Sequence, residues 1–100
     1  MHDMPKLASR VTFDPSTSSA SHSIISASEK RIALTFFAPA TGSVTLSNET
    51  PAVAGNGIVM GAGHDDVNLW LGYHGDVIQR EWYAVYSGTF APVAWIDTLG

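Results

Sequence analysis

Arg31-Ile-Ala-Leu-Thr-Phe-Phe-Ala38 is the stretch on which the fold turns. Ile32, Leu34 and Phe36 alternate onto one face, and Ala33, Thr35 and Phe37 onto the other. Such period-two alternation marks a strand with one face in a core. Phe37 in the second set predicts that the second face is also partly covered. Downstream the pattern repeats in Ser43–Ser47, Gly57–Met60, Asp66–Gly72, Glu81–Ser87 and Thr89–Asp97, with Gly, Pro and Asn between the runs and no helical periodicity among them. Upstream lie Leu7–Phe13, stopped by Asp14-Pro15, and a run near Ser21–Ala27. About eight short strands at this spacing predict an all-β fold, a single-domain antiparallel β-sandwich of jelly-roll-like form.

Local detail follows from the same pattern. Val67, Leu69 and Leu71 are expected to face inward, leaving Asn68 and Trp70 outward. Trp82, Ala84 and Tyr86 share one face of their strand, opposite Tyr83 and Val85. Asn56-Gly57 is a favoured pair for a tight turn, and Ser87-Gly88 reads as a hairpin turn. Pro92 predicts an edge strand or a bulge in the last run. Residues 16–28 include seven serines and only Ile24-Ile25 as an apolar anchor. Residues 1–28 are therefore expected to form an arm or leader with one or two short strands, its serine-rich part either a loop with one strand or an extended arm that orders only on a partner, and residues 29–100 the sandwich core.

The 100 residues suit one domain. Charged residues make up 14% of them, against roughly 25% in an average domain. Interface cores are depleted in Lys, Glu and Asp, so a weakly charged chain fits a molecule covered by partners. The formal charge is −4, and Lys6, Arg10, Lys30, Arg31 and Arg80 are scattered rather than clustered, which argues against nucleic acid as a partner. The chain has no cysteine, so neither a disulfide framework nor a thiolate metal site is available. No apolar run is long enough to span a bilayer, and Met1–Lys6 has no secretory signal pattern. Asn48-Glu49-Thr50 matches a glycosylation sequon, read as chance without such a signal.

Little in the chain assembles chemistry. His64, Asp65 and Asp66 share one loop, and His74 and Asp76 another; if both loops met at one end of the sandwich they could ligate a metal. Their spacing matches no metal signature, and Asp and Gly are ordinary turn residues. No Gly-x-Ser-x-Gly presents a nucleophile, and the glycine-dense Gly55–Gly57 and Gly61–Gly63 lack the following helix that a phosphate loop needs. No catalytic, metal or cofactor residue is expected. The aromatic residues are a better lead, because Trp and Tyr dominate interface hot spots. The expected contact residues are Ile24, Ile25, Phe37, Trp70, Tyr73, Trp82, Tyr86 and Phe90.

The segment from about Lys30 to Ile96 resembles small virion proteins of tailed phages. The phrases that carry the resemblance are the Arg-initiated strand at Arg31, Thr50-Pro-Ala-Val-Ala-Gly-Asn-Gly-Ile58, the Met60-Gly-Ala-Gly63 turn and Trp82-Tyr-Ala-Val85 before a last strand. His64-Asp-Asp66 departs from the polar run usual after that turn. The resemblance implies a non-enzymatic capsid decoration or cement protein, made in the host cytoplasm and carried on the virion surface. Its partners would be the major capsid protein and further copies of itself, as a dimer or trimer. The alternative is a ligand- or carbohydrate-binding module of a phage tail or adhesin, using Trp70, Tyr73 and the loops of His64 and His74.

Overall fold

A computed structural model describes residues 8–15, 20–88 and 91–100, with the side chains of residues 8–10 left out. The strands are β1 (Ala8–Phe13), β2 (His22–Ile25), β3 (Arg31–Phe37), β4 (Ser43–Ser47), β5 (Ile58–Gly61), β6 (Val67–Trp70), β7 (Trp82–Ser87) and β8 (Ala94–Leu99). They form two four-stranded antiparallel sheets, in the orders β1-β8-β3-β6 and β2-β7-β4-β5. The first with the last, the second with the seventh, the third with the sixth and the fourth with the fifth are all paired neighbours. This is a long hairpin rolled up on itself, the jelly-roll arrangement. Among the described strands only β4 and β5 are consecutive in both chain and sheet; every other connection crosses from one sheet to the other.

The core is the space between the sheets. Leu34, Phe36, Leu69 and Trp95 enter it from one sheet, and Ile25, Val44, Leu46, Met60, Trp82, Ala84 and Tyr86 from the other. Phe36 and Trp82 meet edge-on across it, ring centroids 5.3 Å apart. The alternation expected for β3 and β7 is present, with Leu34 and Phe36 and then Trp82, Ala84 and Tyr86 inward. Glycine is required at Gly57, whose φ is +154° and where an added Cβ would lie 2.5 Å from the Leu46 carbonyl oxygen.

Four local expectations are corrected. The run Asp66–Gly72 stops being a strand at Trp70, and the chain winds into a single helical turn, α1 (Leu71–His74), and a 3₁₀ turn over Gly75–Gln79. Burial drives this: Ile78 is fully buried and Leu71 and Val77 pack on the core. The turn is pinned by the buried Arg31, which donates from one Nη to the carbonyls of Ile78 (2.8 Å) and Arg80 (3.3 Å) and from the other to Ser26 (2.7 Å). Pro92 stands outside β8, which lies between β1 and β3 and is no edge strand. Ser87-Gly88 is not a hairpin, since β7 and β8 belong to different sheets. The tight turn expected at Asn56-Gly57 sits earlier, at Ala54-Gly55, where Gly55 has φ +83° and Asn56 N–H bonds back to the Val53 carbonyl at 2.9 Å. The short strands expected within residues 1–28 are present in the described part, with residues 1–7 and 16–19 outside it: β1 pairs with β8 and β2 with β7, each as an edge strand, because their backbone groups find ladder partners there.

Candidate functional site

The two sheets differ on their outer faces. On β2-β7-β4-β5 the connection from β4 to β5 folds across the face and satisfies it. Gly55 N–H donates to Thr45 Oγ1 at 3.0 Å, and Glu49 N–H donates to Ser47 Oγ at 3.0 Å. Ala52 N–H reaches Ser21 Oγ beside β2 at 2.7 Å. Thr45 and Ser47 point outward from β4, yet both are buried. Asn48 holds the start of this connection by donating to the Glu81 carbonyl (2.9 Å) and the Val77 carbonyl (3.4 Å), so the sequon amide already serves the fold.

No such cover lies on β1-β8-β3-β6 among the described residues. Its register sets the outward side chains in rows. One margin runs Phe13, Ala94, Phe37; the middle row runs Val11, Ile96, Thr35, Asn68; the other margin ends in Thr98, Ala33, Trp70. None of these is charged. Val11, Phe13 and Trp70 keep 59%, 66% and 60% of their surface exposed. The two polar groups in the middle satisfy each other, with Thr35 Oγ1 donating to Asn68 Oδ1 at 2.8 Å. This face asks water or a partner for few hydrogen bonds and offers apolar area, the composition of an interface centre.

The expected contact residues scatter across the fold. Phe37 and Trp70 lie on the uncharged face, and Tyr73 stands 80% exposed beside it on α1, its ring edge-on to His74 at 4.8 Å. Ile25, Trp82 and Tyr86 are corrected to core residues, since their strands turn them between the sheets. Ile24 is half-buried against that core. Phe90 lies outside the described residues. Val11 and Phe13 join the face from outside the expected set. Their signal was an inverted strand, in which Val11 and Phe13 point out while Thr12 and Asp14 alternate with them toward the interior.

The loops of His64 and His74 do not meet. The His64 loop precedes β6 and the His74 loop follows it, so the four residues of β6 keep them roughly 13 Å apart at opposite ends of the strand. His64 Nδ1 contacts the Asp65 carbonyl at 2.6 Å, and His74 Nδ1 accepts from Trp70 N–H at 3.0 Å. No group of three or more His, Cys, Asp or Glu suited to a metal occurs among the described residues.

Polar side chains do converge inside, at Asp14, His22 and Tyr86. Tyr86 Oη donates to Asp14 Oδ2 (2.6 Å) and accepts from Val93 N–H (3.0 Å). His22 Nε2 meets the same carboxylate oxygen at 2.7 Å, and its Nδ1 meets the Ala20 carbonyl at 2.7 Å. Both ring nitrogens face acceptors, so the doubly protonated imidazolium fits best. Burial opposes that charge, but the Ala20 carbonyl and the Asp14 carboxylate outweigh it and hold the His22 pKa above its ordinary value. Burial, with the Asp14 carboxylate, pushes the Tyr86 phenol far up. The cluster ties the end of β1, β2, β7 and the entry to β8 together. Asp14 and Tyr86 are buried, so its work is to clamp the two sheets. Within one sheet, Arg31 Nε on β3 lies 3.8 Å from Asp97 Oδ2 on β8.

Two clefts flank the core. One, of ≈ 430 Å³, opens between Leu46, Ile58, Leu69 and Trp82, with Glu49 and Arg80 among its polar lining. The other, of ≈ 300 Å³, lies along Ile24, Ile25, Trp95 and the Arg31–Asp97 pair. Neither is lined by Trp70, Tyr73, His64 or His74. Comparison of the chain with family models, with curated proteins and with solved structures yields no match. The class is thus given by strand order alone: a small jelly-roll β-sandwich.

Proposed function

We propose that this protein is a non-enzymatic structural subunit that decorates and stabilises the outer surface of a phage capsid. The observation that carries the reading is the uncharged outer face of β1-β8-β3-β6, with Val11, Phe13 and Trp70 exposed on it. Such a face works by being covered, and protein is what covers apolar, hydrogen-bond-poor area of this kind. A clamped sandwich suits the task, because a rigid subunit loses little conformational entropy on docking. Binding only to the assembled particle would stabilise that particle by mass action. The capsid as the setting rests on the phrases around Thr50–Ile58, Met60–Gly63 and Trp82–Val85. The measurement is copy number in purified particles by quantitative mass spectrometry. Abundance comparable to the major shell protein is expected, and absence from particles would overturn the reading. A second reading, a ligand-binding module of a tail adhesin, draws on the adjacent exposed rings of Trp70 and Tyr73. It predicts sugar-dependent tryptophan fluorescence that Tyr73→Ala abolishes.

A further inference from the structure

The larger of the two clefts has an apolar wall held in place by hydrogen bonds. Leu46, Leu69 and Trp82 line it from buried positions, and the half-buried Ile58 and Val77 extend that wall. Asn48 ties the end of β4 to the carbonyls of Val77 and Glu81, and Arg31 ties down those of Ile78 and Arg80. At ≈ 430 Å³ the cleft has the size of a small-molecule site. A single ring needs only about 150 Å³. All its lining residues are among the described ones, and no outward residue of the open face is one of them.

One polar group in this wall has no partner. The Trp82 indole Nε1 is buried and meets no acceptor among the described residues. Buried donors almost always have one, and an acceptor brought from outside recovers the cost of its absence. The other lining residues narrow the ligand. Leu46, Leu69 and Trp82 give a phosphate or carboxylate no buried countercharge. Glu49 and Arg80, both exposed, carry opposite signs, and Arg80 Nη2 already lies 3.5 Å from Asp76 Oδ1. A sugar would set several hydroxyls against Leu46, Leu69 and Val77, which offer them nothing. An uncharged apolar ring with a single acceptor oxygen fits. We propose that this cleft binds a small neutral ring compound whose carbonyl or ether oxygen accepts from the Trp82 indole N–H. The activity is separate from docking through the open face, and neither depends on the other.

Acetophenone, a neutral ring with one carbonyl, titrated into the isotope-labelled full chain tests this in proton–nitrogen correlation spectra. The Trp82 indole resonance is expected to move downfield and saturate, with a dissociation constant of about 1 mM or tighter. The backbone amides of Ile58, Leu69 and Val77 should move with it, while the indole resonances of Trp70 and Trp95 stay in place. Trp82→Phe should weaken binding about fivefold or more, the loss of one hydrogen bond. Phe leaves space in the core, so circular dichroism checks that variant's fold, and the native spectra decide without it. Benzoate, the same ring with a charge, should bind at least about tenfold more weakly. Acetophenone that moves no resonance up to its solubility limit overturns the proposal. So does movement of the cleft amides with the Trp82 indole unmoved, movement at Trp70 alone, or benzoate that binds as tightly.

Discussion

Thr45 and Thr35 occupy equivalent places in the two sheets, and their surroundings are opposite. Each is an outward residue near the middle of an internal strand. Thr45 is 3% exposed, because the chain from Asn48 to Gly57 lies over it and gives its hydroxyl a backbone donor. Thr35 is half-buried and bonds to Asn68, the half-buried Ile96 lies beside it, and Val11 and Trp70 stand open on the same face. The fold covers the middle of one face, over β4, with its own backbone while Val59 at the edge stays 46% exposed, and it leaves the middle of the other face without such a cover among the described residues. A soluble domain gains nothing from that asymmetry alone. It gains if the second face is sealed by something outside the chain.

The sharpest way to break the comparison is to place the same charge at both threonines. Thr45→Lys buries an ammonium under the β4–β5 connection and should cost about 3 kcal/mol or more. Thr35→Lys should cost the single chain only about 1 kcal/mol, the net worth of its bond to Asn68. Urea unfolding of dilute protein compares them, and equal losses would mean that the faces do not differ. Next in size is Gly57→Ala, which drives a methyl against the Leu46 carbonyl where the seal rejoins β5; about 2 kcal/mol of destabilisation is expected in the same assay. Tyr86→Phe, which strips the clamp of one hydroxyl and leaves Val93 N–H without that acceptor, should cost about 1–2 kcal/mol.

The smallest effect is in pH. His22 has a folded pKa above its ordinary 6.5. The folded state therefore binds the proton more tightly than the unfolded chain. The stabilisation is complete below the unfolded value and is lost as pH rises through the folded one. The stability advantage of the native chain over His22→Gln should thus shrink as pH rises above the ordinary 6.5. An advantage that grows with pH would reverse the assignment of the imidazolium.

The sandwich was legible because period-two alternation is strong in β3, β4, β6 and β7. Residues 71–79 were not, because Gly72 and Gly75 hide any helical pattern. What winds them is burial of Ile78 and the Arg31 bonds, a contact made from a strand distant in the chain. Pairing was illegible for the same reason: nearly every partner in this topology is distant in the chain. Of the candidate site, Trp70 and Phe37 could be placed by alternation alone. Ile25, Trp82 and Tyr86 are the same residue types, and only knowing which face meets the other sheet assigns them to the core. β1 misleads by its chemistry, since it turns Asp14 in to meet Tyr86 and His22 and so leaves Val11 and Phe13 out.

The central claim is that the open face is where protein docks. Carbene footprinting of the chain free in solution and bound to purified particles reads it directly. The account predicts that labelling at Val11, Phe13 and Trp70 is lower on particles than in the free chain while labelling at Val59 is the same. Labelling that never changes at those three residues, or protection that appears at Val59 instead, would contradict it.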